Sequence, residues 1–197
     1  MDNSRPDIIF IGPYGAGKTT LAELISKKLN WPHYSLDGSN YRYYLKMIPN
    51  YDSNIVDQMD LEKLSSLEQQ RYDVFVIEKF LKEHSNEVCV FDFGVGHSVY
   101  DNDECFEQIQ QILFPYINIV LILPSPSQEE SLEILLDQIR KHWAKGDGLS
   151  DTQINEINKY VINHHSNYDL AKMIVYTKGK SSQETSEEIH RKLVLEN

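Results

Sequence analysis

Arginine is scarce in this chain: there are five, Arg5, Arg42, Arg71, Arg140 and Arg191, among 197 residues. Lys and Arg together number 19 against 30 Asp and Glu, a formal net charge of −11. A surface of that sign repels phosphate backbones, and the densest basic stretch, Arg140 to Lys145, holds only three cations. Nucleic acid is therefore not an expected partner. Cysteine is scarcer still. Cys89 and Cys105 allow one bridge at most, which excludes a disulfide scaffold, and Cys89 lies in an apolar run that reads as a buried thiol. No Cys or second His pair has zinc-ligand spacing. Long apolar runs are also missing. The longest, Ile117 to Leu123, is interrupted by Asn118 and is too short to cross a bilayer. Met1 to Asp7 is polar and has no signal-peptide stretch. The expectation is a protein with no membrane partner in a reduced, cytoplasmic compartment.

Against these absences, hydrophobic residues make up 41% and charged residues 25%, ordinary values for a globular chain long enough for one α/β domain. Short apolar runs at Ile8 to Ile11, His33 to Leu36, Val88 to Phe91, Ile117 to Leu123 and Met173 to Tyr176 read as strands. Between them, apolar stripes such as Leu21, Leu24, Ile25 and Leu29, or Leu132, Leu135, Leu136 and Ile139, have helical spacing. Helices are expected from Lys18, over Tyr41 to Met47, once or twice within Leu61 to Glu83, and over Cys105 to Phe114, Glu129 to Trp143, Thr152 to Asn163 and Ser182 to Leu195. Pro49 to Asp52 and Lys145 to Gly148 read as loops. Strands alternating with helices predict a five-stranded parallel sheet covered on both faces, a three-layer α/β sandwich. No repeat, low-complexity tract or linker divides residues 1–197.

Gly12-Pro13-Tyr14-Gly15-Ala16-Gly17-Lys18-Thr19 matches G-x-x-x-x-G-K-T, with an apolar strand before it and an amphipathic helix after it. Glycines let such a loop wrap closely, so that backbone N–H groups point at phosphate oxygens, and the helix N-terminus adds favourable dipole charge. Lys18 is positioned to reach β- and γ-phosphates, and the Thr19 hydroxyl to ligate Mg²⁺, with Thr20 closing the loop. ATP and Mg²⁺ are the expected cofactors.

Ile8 to Gly12 with Gly15 to Leu21, Trp31 to Asp37, and Asn167 to Ala171 followed by Val175 to Ser181 resemble the shikimate kinase group of small-molecule kinases, in a divergent branch of shikimate-kinase-like ATPases. The resemblance implies a P-loop kinase fold of the nucleoside/shikimate kinase type, an acceptor-binding helical insert at about 38–85 and a lid at about 125–165. It puts Ser35 in the place of the first Asp of the family's D-x-D, which helps hold Mg²⁺, and Asp37 on the second, beside the acceptor hydroxyl. Phe93-Gly94-Val95-Gly96-His97 resembles in part the family's acceptor loop of three glycines, and His164-His165 stands near the place of an acceptor-binding Arg.

Several residues outside the loop carry candidate chemistry. Asp92 ends an apolar strand as a Walker B carboxylate does and is a candidate Mg²⁺ ligand; a turn cap is the plainer alternative. Asp37 is a candidate for taking the acceptor's proton, or else an Asx turn with Gly38. Gly94, Gly96 and His97 are candidates for the acceptor pocket, or a flexible connection with a surface His. Arg140 is a candidate lid cation over the transferring phosphoryl group, or part of a solvated helix face. Arg42 is the best basic candidate for an acceptor contact. The leading expectation is a kinase transferring the γ-phosphoryl group of ATP to a hydroxyl of a small molecule other than shikimate. A nucleotide kinase and an ATP-binding switch with a protein partner are the alternatives. A GTPase is disfavoured because Asn158-Lys159-Tyr160 is followed by Val161, not Asp. A monomer and a homodimer both fit.

Overall fold

The computed structural model describes residues 4–37, 42–43, 61–142 and 149–195. Most of the expected Tyr41 to Met47 helix, both expected loops, Gly38 and part of the insert and lid fall outside them. Five strands, β1 (Arg5–Ile11), β2 (His33–Ser35), β3 (Val90–Asp92), β4 (Tyr116–Leu123) and β5 (Met173–Tyr176), form one all-parallel sheet in the order β2-β3-β1-β4-β5. The strands read as unbroken apolar runs because both faces are covered. In β1, the central strand, Ile8, Ile9, Phe10 and Ile11 are at most 1% exposed.

The helices are α1 (Lys18–Leu29), α2 (Leu61–Ser65), α3 (Leu67–Glu83), α4 (Asp103–Leu113), α5 (Gln128–His142), α6 (Asp151–Asn163), α7 (His165–Leu170) and α8 (Ser182–Leu195), with a 3-10 turn over Val95–Ser98. α1 packs with α8, and α3 with α4, while α7 lies against β4. The stretch expected as one or two helices is broken at Ser66. Its hydroxyl accepts from Gln69 N–H and so caps α3. α6 starts with a full capping box, Ser150 and Gln153 exchanging side-chain to backbone bonds.

At the N-terminal edge of the sheet, Asp7 is fully buried. It accepts from Arg5 at 2.9 Å and from Cys89 N–H at 2.9 Å. Both cysteines are buried free thiols. The opposite edge, where β1 ends, gathers the loops. There a second apolar cluster of Leu64, Val95, Val99, Ile157 and Val161, with Tyr14 packed against it, joins α2, the 3-10 turn and α6. Ligands of open α/β sheets bind at this carboxyl edge, beside the strand where the order reverses, which here is β1.

Candidate functional site

The loop from Gly12 to Thr19 leaves the end of β1. Gly12 adopts φ 138°, and a β-carbon there would lie 2.6 Å from the Ile122 carbonyl oxygen of β4. No other residue fits that conformation and that approach. α1 then starts from Gly17, whose left-handed backbone (φ 86°) turns the chain into the helix. Ile139 of α5 packs over Gly15 and leaves no space for a side chain. Lys18 is buried, and its ammonium donates to the Gly12 and Pro13 carbonyls at 2.9 and 3.0 Å. Burial pushes its pKa down, while the carboxylates of Asp37 and then Asp92 pull it back up. Both acids therefore lie close enough to act on the Lys18 charge.

Asp92 sits at the end of β3 and is 3% exposed. Its Oδ2 accepts from Thr19 Oγ1 at 2.5 Å and its Oδ1 lies 2.8 Å from His33 Nε2. Burial alone would raise the carboxyl. Hydrogen bonds from His33 and Thr19, the His33 charge and a bond from Ser35 outweigh it and hold the group below the usual aspartate value. Parallel register explains the grouping, since Ser35 pairs with Asp92 across β2 and β3. Thr19 and Asp92 supply a hydroxyl and an ionised carboxylate, two hard oxygen donors. Among the described residues no group of three or more acidic, His or Cys side chains is placed to hold a metal. One carboxylate and one hydroxyl fit Mg²⁺, which keeps waters and phosphate oxygens as its other ligands.

Asp37 follows β2 on the same edge, with a side chain 62% exposed. Gly94 lies directly against it: a β-carbon there would sit 1.8 Å from Asp37 Oδ1 and 2.7 Å from His97 Nδ1. A β-carbon at Gly96 would press on Leu64 at 2.8 Å, with Asp73 Oδ2 at 3.6 Å. These two glycines are needed for space, not for unusual backbone angles. His97, read from sequence as a pocket or surface residue, is 4% exposed and lies between Asp37 and Asp73 of α3. The Tyr14 phenol, pushed up to about 12 by burial and then by Asp37, stays neutral beside the same carboxylate.

The arginines are held elsewhere. Arg42 donates to the Tyr43 hydroxyl at 2.9 Å and lies 3.3 Å from Glu83 at the last turn of α3. Glu83 is ten residues beyond Asp73 along that helix, about 15 Å at the α-helical rise. Arg42 is thus at the far end of α3 from the Asp37 rim. Arg71, exposed, lies 3.9 Å from Glu104. Arg140 is exposed and bonds Asp151 at 2.7 Å, bracing the end of α5 against the start of α6. His164 bonds Asp101 at 3.1 Å, and exposed His165 bonds Asp169 at 2.9 Å.

Two features escaped the sequence reading. A cavity of about 420 Å³ opens beside Gly17 and Thr20, walled by Gln138, Ile139, Thr177 and Lys180. Its signal was the Thr177 to Ser181 turn, which follows β5 on the carboxyl edge. The other is Asn158, 1% exposed on α6. Its Oδ1 accepts from Tyr14 N–H at 2.8 Å and its Nδ2 donates to the Tyr14 carbonyl at 3.1 Å. This pair of bonds ties the Gly12–Thr19 loop to α6, and no local pattern announces it. Asn158→Ala takes these partners from the half-buried N–H and carbonyl of Tyr14 and is expected to lower unfolding stability by about 2 kcal/mol. Urea denaturation read by circular dichroism checks it.

Comparison with known proteins agrees with this geometry. A model of the ATPase family associated with various cellular activities (AAA) matches residues 8–88. A shikimate kinase of Enterococcus faecalis (strain ATCC 700802 / V583) is 25% identical over 187 residues, covering 94% of this chain and 97% of that one. Among solved structures, the shikimate kinase from Acinetobacter baumannii in complex with shikimate aligns with a TM-score of 0.61 at 14% identity, over 99% of this chain and 96% of its own. The deoxyadenosine kinase from M.mycoides with bound dATP aligns with a TM-score of 0.58 at 18% identity, over 95% and 99%. With its loop at the end of the central strand and this strand order, the chain has the fold of the P-loop kinases and is similar in sequence to a shikimate kinase.

Proposed function

We propose that this protein is an ATP- and Mg²⁺-dependent kinase that phosphorylates a hydroxyl of a small neutral or cationic molecule other than shikimate. The observation that carries the reading is that two carboxylates follow neighbouring strands on the edge of the phosphate loop: Asp92 at the end of β3, bonded to Thr19, and Asp37 just beyond β2. One carboxylate, with Thr19, suits a metal, and the other, exposed, suits an acceptor. Lys18 and the loop N–H groups bind the β- and γ-phosphates. Thr19 and Asp92 would hold Mg²⁺, which would supply charge neutralisation at the phosphates. Asp37 orients the acceptor hydroxyl for in-line attack and takes its proton. The acceptor O–H bond breaks, a new O–P bond forms to the γ-phosphorus, and the bond from the γ-phosphorus to the bridging oxygen breaks to release ADP. The cavity between Gly17, Gln138 and Thr177 is suited to the adenosine end of the nucleotide.

The acceptor class follows from charge. Recognition of a carboxylate such as shikimate's relies on Arg forks. Among the described residues, the acceptor side presents the Asp37 carboxylate, while Arg42, Arg71 and Arg140 are paired elsewhere. A polyol, sugar, aminoalcohol or nucleoside suits this surface better. ADP release against a panel of such compounds, with shikimate included, tests the reading. Saturable stimulation by a neutral or cationic hydroxyl compound is expected. Efficient turnover of shikimate would overturn the acceptor assignment, and failure to bind ATP would overturn the whole.

The metal assignment has its own check. Asp92→Asn is expected to raise the Mg²⁺ concentration for half-maximal ADP release by about 10-fold, as loss of a charged metal partner does. An unchanged Mg²⁺ titration would remove Asp92 from the site.

A further inference from the structure

Both ring nitrogens of His97 are buried and have no hydrogen-bond partner. A polar atom left so is costly, and native folds keep few of them. The ring stands edge-on to Phe93, with centroids 6.3 Å apart. Each nitrogen faces a carboxylate: Nδ1 is 4.0 Å from Asp37 Oδ1 and Nε2 is 3.8 Å from Asp73 Oδ1. Both gaps are about 1 Å longer than an ordinary N–H···O hydrogen bond. The two acids differ in freedom. Asp73 is 2% exposed, and its Oδ1 already accepts from Gln69 Nε2 at 2.8 Å. Asp37 lies two residues beyond the short strand β2, with most of its side chain in solvent. Gly94 has no side chain to hold the two apart.

We propose that His97 is a positioning residue for Asp37: when the nucleotide binds, the imidazole draws in between its two acids, Asp73 taking Nε2–H and Asp37 closing by about 1 Å onto Nδ1–H. One Asp37 oxygen is then pinned by His97 and the other is aimed at the acceptor hydroxyl. A carboxylate that hangs in solvent gains a fixed direction only by such a second contact. Both bonds require hydrogen on both ring nitrogens, because each carboxylate can only accept. The inference rests on Asp37 being the residue that takes the acceptor's proton.

Nitrogen-15 NMR of histidine-labelled protein in the presence of Mg²⁺ and a non-hydrolysable ATP analogue tests it without a known acceptor. The chain has seven histidines, and loss of one ring system in His97→Asn assigns the signal. Asp37→Asn is expected to shift the Nδ1 resonance of His97, and Asp37→Ala, which removes the carboxylate and its reach altogether, is expected to shift it in the same sense. Asp37 is exposed, so its replacement leaves the fold standing. An Nδ1 resonance unmoved by both variants would overturn the proposal, even if Asp37→Asn abolished phosphoryl transfer and so left the kinase reading in place. A shifted resonance with transfer unaffected in Asp37→Asn would overturn the role of Asp37 and that of His97 together.

Discussion

Lys18→Ala is expected to reduce ATP turnover roughly 10³-fold or more, the scale of losing a preorganised charge at the transferring group. Lys18 is the only cation held inside the loop among the described residues, and two backbone carbonyls fix its ammonium at the loop mouth. The fold does not depend on it. Burial lowers its pKa, which means that the folded state disfavours the charged form, and Asp37 and Asp92 recover only part of that loss. Removing the ammonium also removes a desolvation cost, so the thermal midpoint should stay within a few degrees of the parent, roughly the effect of 1 kcal/mol in a domain of this size. Calorimetric titration with ATP and thermal melting check the two halves separately. ATP binding of unchanged affinity would show that the phosphates go elsewhere.

Asp37→Asn is the second large effect. General-base assistance contributes about 10² to 10⁴ in rate, so turnover of the best acceptor should fall within that range. The amide keeps the shape of the side chain and loses only the capacity to take a proton. KM for ATP should stay level or fall, because the variant removes a negative charge near the phosphate loop. The Mg²⁺ requirement should not move, which separates this variant from Asp92→Asn. Steady-state kinetics varying ATP, acceptor and Mg²⁺ in turn provide the measurement. A raised KM for ATP with kcat preserved would place Asp37 on the nucleotide instead.

How legible the site was depended on how local its parts are. The phosphate loop is contiguous, and its strand and helix carry their own hydrophobic periods, so Gly12 to Thr19 and all five strands could be read directly. Asp92 announced itself by ending an apolar run. The helix break at Ser66 is written in Ser66 and Gln69 three residues later. The rest arises from pairings across the fold that leave no local trace. Asn158 is separated from Tyr14 by 144 positions, and on a helix it reads as one more polar residue. Asp73 lies among charged neighbours on α3, and only the folded helix shows that it is buried. His33 and Ser35 reach Asp92 because of parallel register. Charge alone gives no placement. Arg42 and Arg140 stood out in an arginine-poor chain, yet each is paired with an acid, Glu83 and Asp151. Glu83 occupies the far turn of α3, a register no sequence period reveals.

In the proposed reaction the γ-phosphoryl group of ATP goes to a hydroxyl acceptor held by Asp37. The most direct measurement follows that group itself, with γ-labelled ATP, Mg²⁺ and the panel of neutral and cationic hydroxyl compounds, the products being separated after partial turnover. Label is expected in one of those compounds, with one ADP formed per molecule labelled, and that product is lost in Asp37→Asn. Label found only as inorganic phosphate, whichever compound is present, would contradict this reaction.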